Sequence, residues 1–471
     1  MPPPASHRVI ESCAGMRHTR LRRTASGARH MRILFAHTNF PAQFGQFGDW
    51  LVSQGWDVDF ITQRSGAASD RMQVRTCADH RAPSDETHQY LRGFEKAVIT
   101  GQAFARAAVA LGKEGGSPDV IMAHSGWGAG PFLKDVFPRA VFIPYFEWHY
   151  NYPNIDRTPE DKTVRDPLDA RARNRVRNSP FWLDFSSADA ALCPTRFQAS
   201  QFPSWLRRFL TVVHDGVDTD LHRPSGGDRA ILSRWEIPED AEVLTSITRG
   251  MEPHRGFPDT MRALALLQKR RPKLHALIGG EDRVSYGAKL PEGDSWKKRM
   301  LAECDLDLSR IHFTGLLSRR DMVALMGASD AHLYLTVPFV LSWSLLDAMS
   351  TGCLIVASDT EPVREFMTDG ETGLLVPPHD PEALAARVED ALDGGDGLTA
   401  LRNGARRRIV ESLDARRVIW PAKKAWIEKL VAARRASGSD NVASGHLGST
   451  APSHQREDAA TSSTGRLRTM D

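Results

Sequence analysis

Short runs of apolar, often β-branched residues recur along the chain, separated by longer stretches of helical spacing. The first set is RILFAH (32–37), VDFIT (58–62), VIMAH (120–124), AVFIPYF (140–146), ADAALCPT (188–195) and TVVHDGVD (211–218). The second set is VLTSIT (243–248), LHALIGG (274–280), IHFTG (311–315), AHLYLTV (331–337), CLIVASD (353–359) and TGLLVP (372–377). Several runs are apolar almost throughout, as expected of strands in a parallel sheet covered on both faces. Segments between them, such as 259–269 and 381–392, place apolar residues at helical spacing. Strand and helix in alternation imply right-handed crossovers and doubly wound sheets. A polar stretch at 222–241 parts the two sets. The pattern predicts an α/β chain with two Rossmann-like domains facing across a cleft.

The boundaries that follow are 31–223 for the first domain and 224–418 for the second, with an amphipathic helix at 419–435 crossing back onto the first. A length of 471 residues exceeds what one core usually supports. Residues 1–30 hold six arginines against one glutamate, a local +5 within a chain of +3, so residues 31–471 sum to −2. That leaves no basic surface for nucleic acid. Residues 1–30 read as a basic tail with Met31 as the natural start; their Arg-rich, acid-poor composition also suits a transit peptide. Residues 436–471 are rich in Ser, Gly, Thr and Ala and are expected to be disordered, because they have little apolar surface to offset ordering. Cysteines 13, 77, 193, 304 and 353 form no CxxC pair and no zinc spacing, which favours a reducing, cytoplasmic compartment. No eighteen-residue apolar run exists to span a membrane.

In open α/β sheets ligands bind beyond the carboxyl ends of strands, so residues there carry the chemistry. After VLTSIT comes Arg249-Gly250-Met251-Glu252-Pro253-His254-Arg255-Gly256. Two guanidinium forks beside glycines suit phosphate oxygens; alternatively the arginines are solvated or pair with acids such as Glu252. In VPFVLSWSLLDAMSTG (337–352) a strand ends and a helix begins near Trp343. Ser342 or Ser344 is the expected cap, Ser344 and Asp347 having the spacing of a capping box. The free N–H groups of that helix start favour an anion, although an acid at Asp347 also simply complements the helix dipole. Leu345, Leu346 and Met349 read as core. His124 ends VIMAH and is a base, a hydrogen-bond donor or a packed residue. Pro41–Gly45 follows the first strand and offers backbone N–H groups, with Gln43 and Gly45 near a ligand. No GxGxxG follows a strand, which argues against a dinucleotide-dependent oxidoreductase.

Three segments together resemble the family 4 retaining glycosyltransferases of GT-B fold. They are HDGVDT (214–219), TRGMEPHRGF (248–257), and SLLDAMSTGCLIVASD (344–359) with PVREFMTDGETGLLVPPHDPEAL (362–384). The resemblance is strongest over 205–392 and looser over 31–200, where HTNFPAQF and PTRFQASQFP fit one branch. It implies that Arg249 and Arg255 hold a nucleoside diphosphate, with Gly250 and Gly256 beside it. It implies further that Asp347 meets the ribose in place of a glutamate. Ser342, Trp343 and Ser344 would meet sugar and phosphate through backbone groups. Phe339 stands where the family carries the glutamate that touches the donor sugar, a departure that puts donor use in question. His124 corresponds to the acceptor-side histidine, orienting substrate.

The implied reaction transfers a sugar from a nucleoside diphosphate sugar to an acceptor hydroxyl with retention, without cofactor or metal, in polysaccharide or glycoconjugate synthesis. No DxD pair stands at a strand end, since Asp57 and Asp59 enter a strand. The acceptor is a glycan, a lipid-linked sugar or a small molecule. The apolar-basic strip Trp205–Leu210 suits peripheral contact with the inner face of a membrane, or is ordinary surface. Alternatives on the same fold are a catalytically degenerate nucleotide- or glycan-binding protein, a nucleotide-sugar 2-epimerase and a phosphorylase.

Overall fold

The computed structural model describes residues 30–161 and 166–443. Residues 1–29 of the expected tail at 1–30, and the residues after 443, lie outside them. The first sheet is built from β1 (Arg32–Ala36), β2 (Asp57–Thr62), β3 (Gln73–Thr76), β4 (Val120–His124), β5 (Val141–Tyr145), β6 (Ala191–Cys193) and β7 (Leu210–Val212). Its spatial order is β3-β2-β1-β4-β5-β6-β7. The second sheet holds β8 (Glu242–Gly250), β9 (Leu274–Glu281), β10 (Ile311–Gly315), β11 (Ala331–Tyr334), β12 (Ile355–Ser358) and β13 (Leu374–Val376). Its order is β10-β9-β8-β11-β12-β13. Every pairing is parallel. Two doubly wound α/β domains result, the fold class that the apolar runs predict.

The reason is visible within single strands. Ile33 and Phe35 of β1 face one apolar layer, while Leu34 and Ala36 face another, and all four are fully buried. A strand sandwiched between helices must be apolar on both faces, so it reads as a run without alternation. β3 departs from the prediction. Its sequence, QVRT, is only half buried at the sheet edge, so no apolar run marks it.

The chain crosses between domains twice, side by side. The Val217 N–H donates to Leu413 O at 2.8 Å, and the Ala415 N–H donates to Val217 O at 2.9 Å. The crossing therefore lies a few residues upstream of the polar stretch at 222–241. The last helix, Trp420–Ala443, returns to the first domain. Trp420 Nε1 donates to Asp215 O at 2.9 Å, and Arg435 donates to Asp119 at 2.8 Å near the edge of β4. It extends eight residues beyond the expected end at 435, so residues 436–443 are helical rather than disordered. Among the described residues, Cys77, Cys193, Cys304 and Cys353 are free thiols, and no helix is long and apolar enough to cross a membrane.

Candidate active site

Where neighbouring strands of a doubly wound sheet send their connections to opposite faces, a crevice opens. In the first sheet this happens between β1 and β4, and in the second between β8 and β11. The segments leaving those strands are 37–45, 124–128, 251–256 and 335–342, and they hold most of the residues singled out above.

Arg255 closes the short turn Pro253–Arg255 and is 7% exposed. Its Nη1 donates to Thr336 Oγ1 at 2.8 Å and its Nη2 to Val340 O at 3.0 Å. The rings of Tyr286 and Phe339 flank it, with centroids at 5.3 and 5.9 Å. No carboxylate among the described residues forms an ion pair with it. Glu252, weighed as a partner, directs one carboxylate oxygen to the backbone N–H groups of Ser285 and, at 2.8 Å, Tyr286. A buried cation lacking a paired anion is costly, and within hydrogen-bond reach only neutral groups, the Thr336 hydroxyl and the Val340 carbonyl, offset that cost. The two glycines have packing reasons of their own. Gly256 has φ +65°, and a Cβ there would come within 2.3 Å of Leu335 Cβ; one on Gly250 would meet Arg283 O at 2.5 Å.

Beside Arg255 starts the helix Trp343–Thr351. Ser342 caps it, its hydroxyl accepting from the Ser344 N–H at 3.4 Å, and Ser342 N–H donates to the Tyr334 hydroxyl at 2.9 Å. Ser344 is therefore not the cap, and the expected capping box with Asp347 does not form. Nor does Asp347 stand in the first turn to complement the dipole. It is buried, with His222 Nε2 3.5 Å from its Oδ1. Burial pushes its carboxyl up to about 7, with the nearby Arg319 charge pulling the other way. Asp347, Trp343, Arg319, His222, Gln43 and Gln46 all line one cavity between the domains.

Across the cleft, His124 is 3% exposed at the end of β4, its ring 4.6 Å from that of His37. Its Nε2 lies 3.4 Å from Glu147 Oε2, and Gln43 Nε2 donates to Glu147 Oε1 at 3.1 Å. His124 Nδ1 has no partner among the described residues. Gly45 allows the 41–45 loop to fold tightly, because a Cβ there would fall 2.3 Å from Pro41 Cβ. Burial raises the Glu147 carboxyl, but hydrogen bonds and charge from His124, the Gln43 hydrogen bond and the Arg249 charge outweigh it and hold it below the usual glutamate value. Arg249 is exposed at the end of β8, so its effect on Glu147 is exerted from the other domain. His37 and Glu147 escape the sequence reading, although an acid directly after AVFIPYF was a legible strand-end signal.

Phe339 has a different environment from the one the resemblance implies for its position. It is 9% exposed and packs against Trp148 of the first domain, ring centroids 4.8 Å apart, and against Tyr286 at 5.1 Å. Thus the two domains meet through rings at the place where a polar sugar contact was sought.

The family profile described as "Glycosyl transferase family 4 group" matches residues 54–222, and that described as "Glycosyl transferases group 1" matches residues 228–408. The D-inositol 3-phosphate glycosyltransferase of Corynebacterium efficiens is 32% identical over 372 residues, covering 76% of this chain and 82% of the relative. The chain belongs to the family 4, group 1 glycosyltransferases. Another similar protein, the D-inositol 3-phosphate glycosyltransferase of Streptomyces scabiei, is 26% identical over 192 residues; that match spans 40% of this chain and only 42% of the relative. Among solved structures, Anabaena HepE in complex with UDP-glucose is similar at a TM-score of 0.62 and 17% identity, covering 87% of this chain and all of that one. The glycosyltransferase thus has the GT-B fold.

Its cleft has two unlike walls. The second-domain wall offers a buried guanidinium and a helix amino end, both suited to an anion. The first-domain wall offers a carboxylate and two imidazoles, suited to hydroxyl groups. Among the described residues no group of three or more His, Cys, Asp or Glu side chains is disposed to hold a metal ion. Asp59 is committed to Arg32 at 2.7 Å.

Proposed function

We propose that this glycosyltransferase moves a sugar from a nucleoside diphosphate sugar to an acceptor hydroxyl with retention at the anomeric carbon and without a metal ion. The observation that carries the reading is Arg255, buried against Thr336 and Val340 with no carboxylate ion pair among the described residues. As the bond to the sugar lengthens, charge grows on the departing diphosphate. A fixed guanidinium in a cleft that excludes water stabilises that charge far better than solvent does. Arg249 adds a second charge from the strand end, and the amino end of the 343–351 helix adds its dipole. Asp347 offers a hydrogen-bond partner to the ribose within the interdomain cavity. In this reading the acceptor attacks from the face the leaving group departs, and the phosphate takes the acceptor proton while His124 orients the hydroxyl.

The relatives are named for inositol 3-phosphate, which makes a polyol phosphate the first acceptor to try, with glycan and lipid-linked acceptors after it. Trp205 and Phe209, 51% and 49% exposed, with Arg208 over the Phe209 ring, give a lipid-linked acceptor a surface to reach from. Flotation with anionic vesicles tests that part alone, and protein left at the bottom removes it. The main test is thermal shift with UDP, GDP and ADP, followed by transfer assays in EDTA with NMR of the product anomer. Stabilisation by one nucleotide and an unchanged anomeric configuration are expected. No stabilisation by any of them would remove the reading. The second reading, a binding protein without turnover, draws on Phe339, and it predicts nucleotide binding with no transfer.

A further inference from the structure

A sugar whose diphosphate rests on Arg255 has to place its ring between the 336–342 turn and the strand ends of the first domain. The turn itself gives that ring little to hydrogen-bond, since Val337-Pro338-Phe339-Val340-Leu341 has only apolar side chains. Phe339 is moreover turned into the ring contact with Trp148. The residue next to Trp148 in sequence is Glu147. We infer that Glu147, reaching from the opposite domain, is the acid that meets the transferred sugar, accepting a hydrogen bond from its hydroxyls and opposing the positive charge that grows at its anomeric carbon. The inference rests on the transferase reading and adds to it a catalytic residue from the acceptor-side domain.

Three further observations support it. Glu147 is held by donors on two separate elements, His124 Nε2 at 3.4 Å from β4 and Gln43 Nε2 at 3.1 Å from the 41–45 loop. One of these contacts comes from a strand end and the other from the loop that follows β1, so two separate segments fix the one carboxylate. Its side chain nevertheless remains 29% exposed, whereas that of His124 is 4% exposed, which leaves an edge open to an incoming group. The charges are also ordered along the bond that breaks. Cationic Arg249 and Arg255 belong to the second domain and anionic Glu147 to the first, so a diphosphate on the arginines would leave the sugar beside the anion, a preorganised field for separating the two. A purely structural acid that only orients His124 would need neither the open edge nor the Gln43 contact.

Glu147→Gln keeps size and shape while removing the charge. The nucleoside diphosphate that stabilises the wild-type protein should bind this variant within twofold of wild type, measured by calorimetry. Turnover of the matching nucleotide sugar should fall at least a hundredfold, and the acid limb of the kcat/KM profile should disappear. In Glu147→Ala, added formate should restore turnover at least tenfold by filling the vacated carboxylate position. Turnover of Glu147→Gln within threefold of wild type would overturn the inference. So would equal losses of nucleoside diphosphate binding and turnover, or an absence of formate rescue in a Glu147→Ala protein that unfolds at the wild-type temperature. Those failures leave the transferase reading intact; a wild-type protein that binds no nucleoside diphosphate fails at Arg255 instead.

Discussion

Trp148 and Phe339 belong to different domains, yet their rings meet at 4.8 Å, edge to face, with both residues nearly buried. Phe197 and Val337 complete the small apolar cluster around them. An aromatic pair of this kind adds about 0.5–1.5 kcal/mol beyond the area it buries. The cluster therefore favours a closed cleft before any substrate arrives. Phe339→Ala should lower the unfolding temperature and increase the radius of gyration in solution scattering, and a saturating nucleoside diphosphate should reverse part of the increase. An unchanged scattering curve would show that the rings do not hold the domains together.

Arg255 is the residue on which the anion site depends. Losing one preorganised donor to developing charge costs about 2.7–4 kcal/mol of barrier, roughly a hundredfold to a thousandfold in rate. Arg255→Ala should lose that much turnover and most nucleoside diphosphate binding. Arg255→Lys should recover only part, because an ammonium cannot keep the Thr336 and Val340 bonds in one fork. Wild-type rates in Arg255→Ala would exclude the diphosphate assignment.

The fold was legible because parallel strands buried on both faces leave apolar runs, and twelve of the thirteen strands carry one. β3 left no such trace, since an edge strand with half-exposed side chains needs none. The second-domain wall was legible for a similar reason: Arg249, Arg255 and Ser342 lie within two short segments whose chemistry is local. The first-domain wall was not. Glu147 gains meaning only from His124 and Gln43, 23 and 104 positions away, which the sheet order brings to it. Asp347 was misread in a related way. Its spacing from Ser344 suggests a capping box, but Ser342 is the cap of a helix that starts at Trp343, and the second turn carries the acid inward to His222.

That inward position makes stability depend on pH. Asp347 is pushed by burial up to about 7, against 3.8 for an ordinary aspartate. Between roughly pH 4 and 7 the folded form then holds more protons here than the unfolded chain, so this contribution to stability falls as pH rises through that window. Above it the full penalty of a buried carboxylate applies. Neighbouring His222, held down to about 4 by burial and the Arg319 charge, contributes the opposite slope, and comparison of variants at one pH separates the two. Asp347→Asn should unfold at a higher temperature than wild type at pH 8, by about 3 °C or more, with the gap narrowing toward pH 5. A gap that widens toward pH 5 would contradict the assignment.

Glu365 makes a second link between the domains, and a polar one. Its two carboxylate oxygens accept from the backbone N–H groups of Arg196 and Phe197, each at 2.8 Å, at the amino end of the first-domain helix Arg196–Ser200. Such charge-assisted bonds contribute about 1.5–3 kcal/mol each when both partners are in place. Thr195 already caps the same helix through the Gln198 N–H at 3.0 Å, so removing Glu365 should spare the helix and weaken chiefly the contact between domains. Glu365→Ala is expected to raise KM for the nucleotide sugar severalfold and to expand the free protein in solution scattering, with kcat within about twofold because the residue touches no reacting group. Combined with Phe339→Ala, the effects on expansion should depart from additivity, since Phe197 takes part in both contacts, its ring in the apolar cluster and its N–H in the bond to Glu365. A fall in kcat without a change in KM would instead assign Glu365 to the chemistry and contradict its role as a strut between the two halves.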